Sequence, residues 1–597
     1  MGRRGGGSPG PTLVAELVPA GRGAAAQPAF EPGPPILLAK RARRDADVGS
    51  LVTVELRGRA AEVVAVHGPA RSPRAALAAL LASEGAGRPF PRDVQEEADA
   101  LTEGGLDDPG RHDLRDQAVM TVDPEGAKDH DDAVFVREEG DRLRVWVHIA
   151  DVARFVPAGG PIDREAARRG CSIYVPGSVD PMLPPHLSAD LCSLRPGVDR
   201  NAVTVEMELD PSGAVVASRF MRSTIRSERR LTYPEVDAIL SGGAEVGAGL
   251  RGHVPLAARA AGLLRARRMA RGALDAASPE PVVHLAGDRV ERIELEHQTP
   301  AHSLVEELMV AANEAVARYL IGRERATVFR VHEDPAQSRI ERLYDQLDEL
   351  DVATPPLPDG PLGPHALRAA AAGAAEAVRR HVASGGAGGR ALWSLVLRSL
   401  RQARYAHDQV GHSGLASPAY LHFTSPIRRY PDLLVHRALL DALGIGDPAP
   451  DPAWLAEAAD HSSQTERAAT AIERRADAMM AAYLLRDRLR GTDDELFEGE
   501  VVGVIDAGLF VVFDEVFEGF LPSRRLEDHH YRADPLDVAL VGSATGRRIR
   551  VGDAVRARVT RIEPLRGRVE LEPAESGPRP RGRGTVGRRR ARAAPRR

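Results

Sequence analysis

For a chain of 597 residues, the sequence contains few cysteines, lysines and aromatic residues. Its two cysteines, Cys171 and Cys192, exclude a disulfide framework and a multi-thiolate zinc site, so any bound metal must have oxygen or imidazole ligands. No apolar run reaches the roughly 18 residues of a membrane span, and the N-terminus lacks the apolar core of a signal peptide. These absences predict a cytoplasmic protein with no membrane partner.

Basic charge is distributed unevenly along the chain. Almost all basic residues are arginines, since only Lys40 and Lys128 are lysines. Residues 576–597 contain nine arginines and no acid, whereas acidic residues outnumber basic ones in the rest of the chain. Such a tail is typical of a disordered segment that binds nucleic acid, and an unspecific solubilising role is the alternative.

Periodicity divides the chain into several units. The length and a hydrophobic content of 43% predict roughly three to five folded units. Residues 50–67 alternate like two antiparallel strands, and alternation returns after Gly491 in short, glycine-punctuated segments that are typical of an OB barrel. Mixed strands and helices between them predict one large α+β domain. The predicted boundaries are 1–90 for an N-terminal OB domain, 91–490 for the central domain, 491–575 for a C-terminal OB barrel and 576–597 for the tail.

An acidic segment in the central domain, TVDPEGAKDHDDAV, begins at residue 121. It places four aspartates within ten residues, namely Asp123, Asp129, Asp131 and Asp132. An EF-hand loop is excluded because its twelfth position, which needs glutamate, is Val134. Clustered carboxylates favour divalent cations, and a pair of Mg²⁺ ions is a common solution for phosphodiester hydrolysis. A solvated acidic loop without metal is the alternative.

A second segment, HFTSPIRRYPDL, brings two arginines together. Ser425 followed by proline predicts a helix start, which puts Arg428 and Arg429 at the positive end of the helix dipole. Two cations at the positive end of a helix dipole are unfavourable by themselves. Their presence is explained if both arginines bind an anion such as phosphate. The alternative is that they pair with local acids such as Asp432.

Several aromatic residues are placed where they could stack on nucleobases. Tyr174 adjoins a Pro-Gly turn, although most tyrosines are simply packed. In the C-terminal barrel the stacking candidates are Phe510, Phe513 and Tyr531, and burial in the barrel is the alternative.

A helix is predicted over 303–320, with Ser303 and Glu306 as a capping box.

The longest motifs occur in a characteristic order. They are TVDPEGAKDHDDA at 121–133, VHIADV at 147–152, YVPGSVDPMLP at 174–184, LCSLRPGVDR at 191–200, EELMVAAN at 306–313 and HFTSPIRRYPDL at 422–433. Together they resemble the ribonuclease II / ribonuclease R exoribonucleases and their RNB catalytic domain. The flanking barrels and basic tail resemble the cold-shock-like OB domain, the S1-type OB domain and the tail of this family.

This resemblance implies an α+β multidomain protein with a central RNB catalytic domain. It implies Mg²⁺-dependent, processive 3′→5′ hydrolysis of single-stranded RNA with a free 3′ end to nucleoside 5′-monophosphates. Two Mg²⁺ ions are expected, with Mn²⁺ as a substitute. A monomer is expected, with structured RNA and the ribosome as further partners.

The resemblance also implies roles for individual residues. The four aspartates would bind the metal ions, and Asp131 would be indispensable for cleavage. Arg428 would hold the scissile phosphate, and Arg429 would contact RNA beside it. These roles combine the acidic and basic segments in one site.

Further RNA contacts and two departures complete the comparison with the family. Tyr174 would stack near the 3′-terminal nucleotide, and either Glu306 or Glu307 would contact its sugar.

His130 stands where the family often has an apolar residue. The N-terminal region has room for one cold-shock-like unit rather than two.

Two other functions are compatible with the same residues. One is a noncatalytic RNA-binding protein with a decayed central domain, which the intact aspartates and Arg428 disfavour. The other is an endonuclease that uses the same metal chemistry.

Overall fold

The chain folds into an N-terminal sheet, a large central α+β domain and a C-terminal barrel. The structure, a computed structural model, describes residues 11–574 except 22, 39–45, 59, 245–246, 248, 275–278, 447, 449, 492–494 and 529. The predicted tail at 576–597 lies outside the described residues. Each described helix is too short or too polar to traverse a lipid bilayer.

The N-terminal region is a five-stranded antiparallel sheet followed by a helix. Its elements are β1 (Thr12–Ala20), β2 (Gly23–Pro28), β3 (Ile36–Leu37), β4 (Ser50–Arg57), β5 (Ala60–Pro69) and α1 (Pro73–Ser83). Strands β4 and β5 form the antiparallel pair predicted from the sequence. The edge strands β3 and β5 are joined by a bridge between Leu38 and Ala61, which gives the sheet an OB-like closure.

A strongly curved sheet forms the centre of the central domain. The elements up to its last strand are α2 (Arg92–Ala100), β6 (His112–Asp113), β7 (Val119–Val122), β8 (Asp132–Glu139), β9 (Arg142–Ala150), α3 (Pro161–Arg169), β10 (Ile173–Val175), β11 (Ser178–Asp180), β12 (Asp199–Leu209) and β13 (Val215–Leu231). The sheet order is β12-β9-β8-β7-β13-β6. Strand β13 pairs with β12 along its first part and with β7 along its last part, so the sheet closes on itself.

Helices cover this sheet and supply most of its apolar core. The remaining elements of the domain are α4 (Tyr233–Leu240), α5 (His253–Ala270), β14 (Glu280–Ala286), β15 (Arg289–Glu296), α6 (Pro300–Gly322), β16 (Phe329–Val331), α7 (Gln337–Glu349), α8 (Pro364–Ala383), α9 (Gly389–Ser399), β17 (Arg404–Ala406), α10 (Tyr430–Ala442) and α11 (Pro452–Arg488). The apolar faces of α5, α6 and α10 pack against strands β8, β9 and β12 in one buried cluster.

Helix α6 begins earlier than the sequence predicted. Thr299 caps it, and His302 rather than Glu306 completes the capping box. The predicted box at Ser303 is therefore wrong, because Ser303 already lies in the first helical turn. The shift is three residues, and the predicted helix itself is confirmed.

The 37-residue helix α11 connects the three parts of the molecule. Tyr483 donates a hydrogen bond of 2.6 Å to the Ala70 carbonyl oxygen in the N-terminal region, and Arg475 pairs with Glu84 at 3.0 Å. At the other end of the molecule Gly567 lies against Ala478 so closely that a Cβ there would be 2.8 Å from the Ala478 Cβ. One rigid element thus contacts both flanking units.

The C-terminal region contains a closed barrel and a small additional sheet. The elements are β18 (Leu496–Ile505), β19 (Gly508–Phe513), β20 (Phe517–Pro522), β21 (Tyr531–Ala533), β22 (Ala539–Gly542), β23 (Arg548–Arg550), β24 (Ala554–Glu563) and β25 (Arg568–Pro573). The barrel order is β18-β19-β20-β25-β24, which confirms the predicted C-terminal OB barrel. Strand β23 lies outside the barrel, in the three-stranded sheet β21-β22-β23.

Candidate active site

The four aspartates lie where the loop after β7 enters β8. Asp123 follows β7 directly, and its backbone N–H donates to the Leu231 carbonyl oxygen at 3.0 Å. Gly126 has a φ of +89°, a left-handed conformation that favours glycine and lets the loop reverse. Asp132 is the first residue of β8 and is paired with Ile149 of β9. The loop is therefore fixed at both ends by the sheet.

Asp131 is the most enclosed of the four carboxylates. Its side chain is only 4% exposed, and Oδ1 accepts a 2.8 Å hydrogen bond from the Ile427 backbone N–H. Arg428 Nε lies 3.6 Å from Oδ2. Burial raises the pKa of Asp131 well above its usual value, and the charge of Arg428 and the Ile427 N–H only partly oppose that rise.

The neighbouring carboxylates repel one another. Burial raises the pKa of Asp132 to about 7, and the negative charge of Asp123 adds to the rise. Asp123 is also buried, while Asp129 and Asp132 are partly exposed. Without further positive charge this arrangement is unfavourable, so it fits a site that a cation completes.

The donor atoms present fit a hard divalent cation. Asp123 Oδ2 and Asp131 Oδ2 are buried oxygens without a hydrogen-bond donor in the part of the chain that the structure describes. Among those same residues no group of three or more His, Cys, Asp or Glu side chains already converges on one point. Carboxylate oxygens are the preferred ligands of Mg²⁺, which also retains water and substrate oxygens in its shell.

Arg428 and Arg429 lie before a helix rather than inside its first turn. Helix α10 begins at Tyr430, so the predicted start at Ser425 is wrong. The backbone N–H of Ser425 instead donates to Asp432 at 2.8 Å, and its hydroxyl accepts from Arg428 at 3.2 Å. These contacts hold the segment in a turn, and the proline after Tyr430 occupies the first helical turn.

The two arginines have different environments. The Arg429 guanidinium donates to Asp432 at 2.7 Å, and the side chain is 21% exposed. This is the pairing with a local acid that the sequence left open as an alternative. Both arginines line one cavity, but the Arg428 side chain is 45% exposed and, among the described residues, has no such close partner as Asp432, its nearest carboxylate contact being Asp131 at 3.6 Å. Arg428 is therefore the arginine better placed for an external anion.

Tyr174 lines the same cavity as Arg428, which has a volume of about 570 Å³. Its hydroxyl donates to Asp129 Oδ2 at 2.7 Å, and its backbone N–H donates to Glu473 on α11 at 2.9 Å. Tyr174 is 37% exposed. Tyr174 and Arg428 thus share a cavity wall, and each contacts one of the aspartates, Asp129 and Asp131 respectively.

Glu306 and Glu307 both contact Arg268 of α5. Glu307 is 1% exposed and accepts hydrogen bonds from two nitrogens of Arg268, the shortest of 2.6 Å. Glu306 accepts one of 3.0 Å and keeps 35% of its side chain exposed. Glu306 is therefore more accessible to a ligand than Glu307.

Tyr233 is a neighbour of the aspartates that the sequence analysis missed. It stacks on His302 with ring centroids 4.0 Å apart, one helical turn before Glu306 on α6. Burial raises its pKa to about 12, and the charges of Asp132 and Asp123 contribute to the rise. Tyr233 lies two residues after the end of β13, and β13 pairs with β7, which ends just before Asp123. The only available signal in the sequence was this position after a long predicted strand.

Comparison with known proteins identifies the domains. Residues 111–445 match the RNB domain model, and residues 492–572 match the S1 RNA binding domain model. Ribonuclease R of Vibrio cholerae is 32% identical over 93% of this chain and 69% of its own length. The chain belongs to the RNB family of ribonuclease II and ribonuclease R. It spans 59–72% of the length of the curated ribonuclease R relatives compared with it.

Solved structures share the fold of this RNB-family chain. The apo form of Mycoplasma genitalium RNase R has a TM-score of 0.85 at 24% identity and covers 94% of this chain and 89% of that one. Yeast Ssd1, a pseudonuclease, has a TM-score of 0.66 at 18% identity and covers 89% of this chain and 67% of its own. Because the fold also occurs in a pseudonuclease, the residues of the site must carry the argument for activity.

The S1 domain places the three predicted stacking residues differently. Phe513 is 2% exposed and packs between Phe497 and Phe517, and Tyr531 is 6% exposed. Both rings, Phe513 in the barrel and Tyr531 in the additional sheet, belong to the apolar core of this region, which corrects their prediction as surface stacking residues. Phe510 remains partly exposed.

Phe510 lies beside a second cavity of about 610 Å³ on the S1 barrel. Phe520, its partner across β19 and β20, has its ring centroid 5.3 Å away and was missed in the sequence. Arginines at the same cavity are Arg524, Arg561 and Arg568. Aromatic rings flanked by arginines are the usual combination for contacts to single-stranded nucleic acid.

Proposed function

We propose that this protein is a 3′→5′ exoribonuclease that processively hydrolyses single-stranded RNA to nucleoside 5′-monophosphates. One observation carries the proposal: a buried Asp131 carboxylate faces an accessible arginine, Arg428, at a cavity lined by an aromatic residue. This combination provides a metal ligand, a phosphate contact and a base contact in one place. The RNB-family membership supports it.

Divalent metal is part of this proposal, since exoribonucleases of the RNB family are generally divalent-metal dependent. We assign two Mg²⁺ ions, replaceable by Mn²⁺, to a ligand set drawn from Asp123, Asp129, Asp131 and Asp132. Metal bound there supplies a nucleophilic water at neutral pH and neutralises charge on the phosphate. The hydrogen bond from the Ile427 backbone N–H fixes the position of the Asp131 carboxylate. The proposed reaction needs no covalent intermediate.

The other site residues bind and orient the RNA. Arg428 donates hydrogen bonds to the scissile phosphate and stabilises the charge that develops on it. Tyr174 stacks near the 3′-terminal nucleotide while its hydroxyl holds Asp129. Glu306 is assigned to the terminal sugar because its carboxylate is more accessible than that of Glu307. Arg429 supports this site by fixing the turn through Asp432.

RNA with a free 3′ end is the proposed substrate. In solved structures Mycoplasma genitalium RNase R is in complex with ribose-methylated single-stranded RNA and with double-stranded RNA. We extend both ligand classes to this chain, in which the S1 domain supplies Phe510 and its neighbouring arginines. Binding to the ribosome, a monomeric state and a cytoplasmic location stay predictions.

The test is digestion of single-stranded RNA labelled at its 5′ end or at its 3′ end, with Mg²⁺ present. Rapid release of labelled mononucleotide from the 3′ label is expected, and the 5′-labelled strand should pass from full length to a short end product without accumulation of intermediates. Internal fragments would indicate an endonuclease. Absence of cleavage by folded protein that binds RNA would indicate a pseudonuclease. An RNA with a blocked 3′ end is the matched control and should resist digestion.

A further inference from the structure

His130 is buried inside the loop that carries the four aspartates. It is 5% exposed. Its backbone N–H donates to Ser193 Oγ at 3.1 Å, and its carbonyl oxygen accepts from the Leu194 N–H at 3.0 Å. Ser193 Oγ in turn donates to the Lys128 carbonyl oxygen at 2.7 Å. The imidazole is therefore held in place by its own backbone.

The imidazole faces Asp123. His130 Nδ1 lies 2.9 Å from Asp123 Oδ2. Both atoms are buried, and neither has a partner with hydrogen-bond geometry in the described part of the chain. The ring nitrogen and the carboxylate oxygen thus approach closely without being aimed at each other. A buried polar atom left this way calls for a partner.

The separation of these atoms fits two ligands of one ion. Ligand bonds to Mg²⁺ or a first-row divalent ion are about 2.0–2.2 Å long, so adjacent ligands at about 90° are roughly 3 Å apart. Nitrogen and oxygen lone pairs that converge on an ion do not point at each other, which agrees with the missing hydrogen-bond geometry. The partly exposed Asp132, the next carboxylate in sequence after Asp131, adds negative charge near the same pair.

We propose that His130 Nδ1 is a nitrogen ligand of the divalent cation bound beside Asp123, and that it shifts the preference of the site from Mg²⁺ towards Mn²⁺. This inference rests on the part of the proposed function that assigns a cation to the aspartates. Mg²⁺ strongly prefers oxygen ligands, whereas imidazole suits transition metals. Replacing one oxygen ligand by imidazole nitrogen therefore weakens Mg²⁺ binding relative to Mn²⁺ binding.

The decisive experiment is pulsed electron paramagnetic resonance of the full chain loaded with Mn²⁺ alone. Electron spin echo modulation from a directly bound ¹⁴N is expected in the wild type and should change to the ¹⁵N pattern when only histidine is ¹⁵N-labelled. His130→Phe should abolish it. The matched control is His253→Phe, because His253 packs on Phe135, three residues along β8 from Asp132. That variant should keep the nitrogen modulation.

Titration of Mn²⁺ and Mg²⁺ gives the second readout. His130→Phe is expected to weaken Mn²⁺ binding on the order of 10–100-fold, the range seen when support of a metal site is removed, and Mg²⁺ binding by less. Absence of histidine nitrogen coupling in the wild type would overturn the inference. Coupling that survives in His130→Phe would do the same.

The labelled wild type needs no substitution, so the inference remains falsifiable even if His130→Phe does not fold. The experiment also separates this inference from the proposed function. Mn²⁺ binding without histidine coupling, together with RNA cleavage, would contradict only the role of His130. Histidine coupling without RNA cleavage would contradict only the exoribonuclease assignment.

Discussion

The aspartate loop and the S1 cavity handle charge in opposite ways. In the loop, Asp131 is buried and its pKa is raised, so the ionised carboxylate is unfavourable until positive charge completes the site. At the S1 cavity, Arg524 pairs with Glu570 at 3.2 Å but is 75% exposed, and Phe510 is partly exposed, so both side chains are accessible to a ligand. The proposed function therefore assigns the chemistry to the region of buried charge and the holding of RNA to the region where charge and aromatic surface are exposed.

The largest test of this division is Asp131→Asn. The amide keeps the size of the side chain and removes the charge, so hydrolysis should fall to the background of the assay while RNA affinity changes little. Turnover and equilibrium binding are measured on the same preparation, with the melting temperature as control for folding. An equal loss of binding would mean that Asp131 mainly organises the fold.

Arg428→Ala should reduce turnover more than affinity. Removing a group that stabilises transition-state charge lowers kcat by about 10²–10³-fold, whereas loss of one of many phosphate contacts weakens binding modestly. Single-turnover rates and dissociation constants distinguish the two effects. Arg428→Lys is the matched variant, since it retains the charge without the planar two-nitrogen contact. An unchanged rate would remove Arg428 from the site.

Phe510→Ala tests the other side of the division. Loss of one base–aromatic stack should weaken RNA binding by about 1–3 kcal/mol, which corresponds to roughly 5–150-fold in Kd. Cleavage at saturating RNA should be little changed. Phe513→Leu is the control within the same strand, because Phe513 is buried and its change should lower stability rather than affinity. Equal affinity losses in both variants would show that barrel integrity, not stacking, determines binding.

The difference between Phe510 and Phe513 also illustrates what the sequence could and could not predict. The alternation of apolar and polar residues predicted the barrel strands. Side chains three residues apart on a strand face opposite sides, so Phe510 and Phe513 cannot both face the core. The alternation did not decide which side is covered, since that depends on where Phe497 and Phe517 meet across the barrel. Likewise, the long motifs predicted the aspartates and Arg428. The pairing of Arg429 with Asp432 stayed an alternative, because it depends on a turn in a segment for which local propensity predicted a helix start. Tyr233 was missed because only sheet pairing brings it to Asp123.

The pH dependence of stability should report the buried charge in the loop. Asp132 has a folded-state pKa of about 7, above the usual carboxyl value near 4, so the folded chain retains a proton that the unfolded chain loses. Metal-free stability should therefore fall as pH rises from about 4 to 7 and level off above that range. Melting curves in EDTA and in Mn²⁺ should show a smaller fall with the ion. Asp132→Asn should reduce the fall in melting temperature with pH that is seen in EDTA. If the melting temperature depended on pH in the same way in EDTA and in Mn²⁺, the prediction would be contradicted.

Deletion of residues 576–597 should have the smallest effect and tests a segment that is rich in arginine and contains no aromatic residue. The nine arginines are expected to contact phosphates without base recognition, so their loss should reduce the steepness with which RNA affinity declines with salt. Degradation of a duplex with a 3′ overhang should slow at higher salt, while single-strand turnover at saturation should remain. Identical salt slopes for both proteins would mean that the tail solubilises the chain without holding RNA. A changed single-strand kcat would instead contradict the division itself, because charge outside the aspartate loop would then contribute to chemistry.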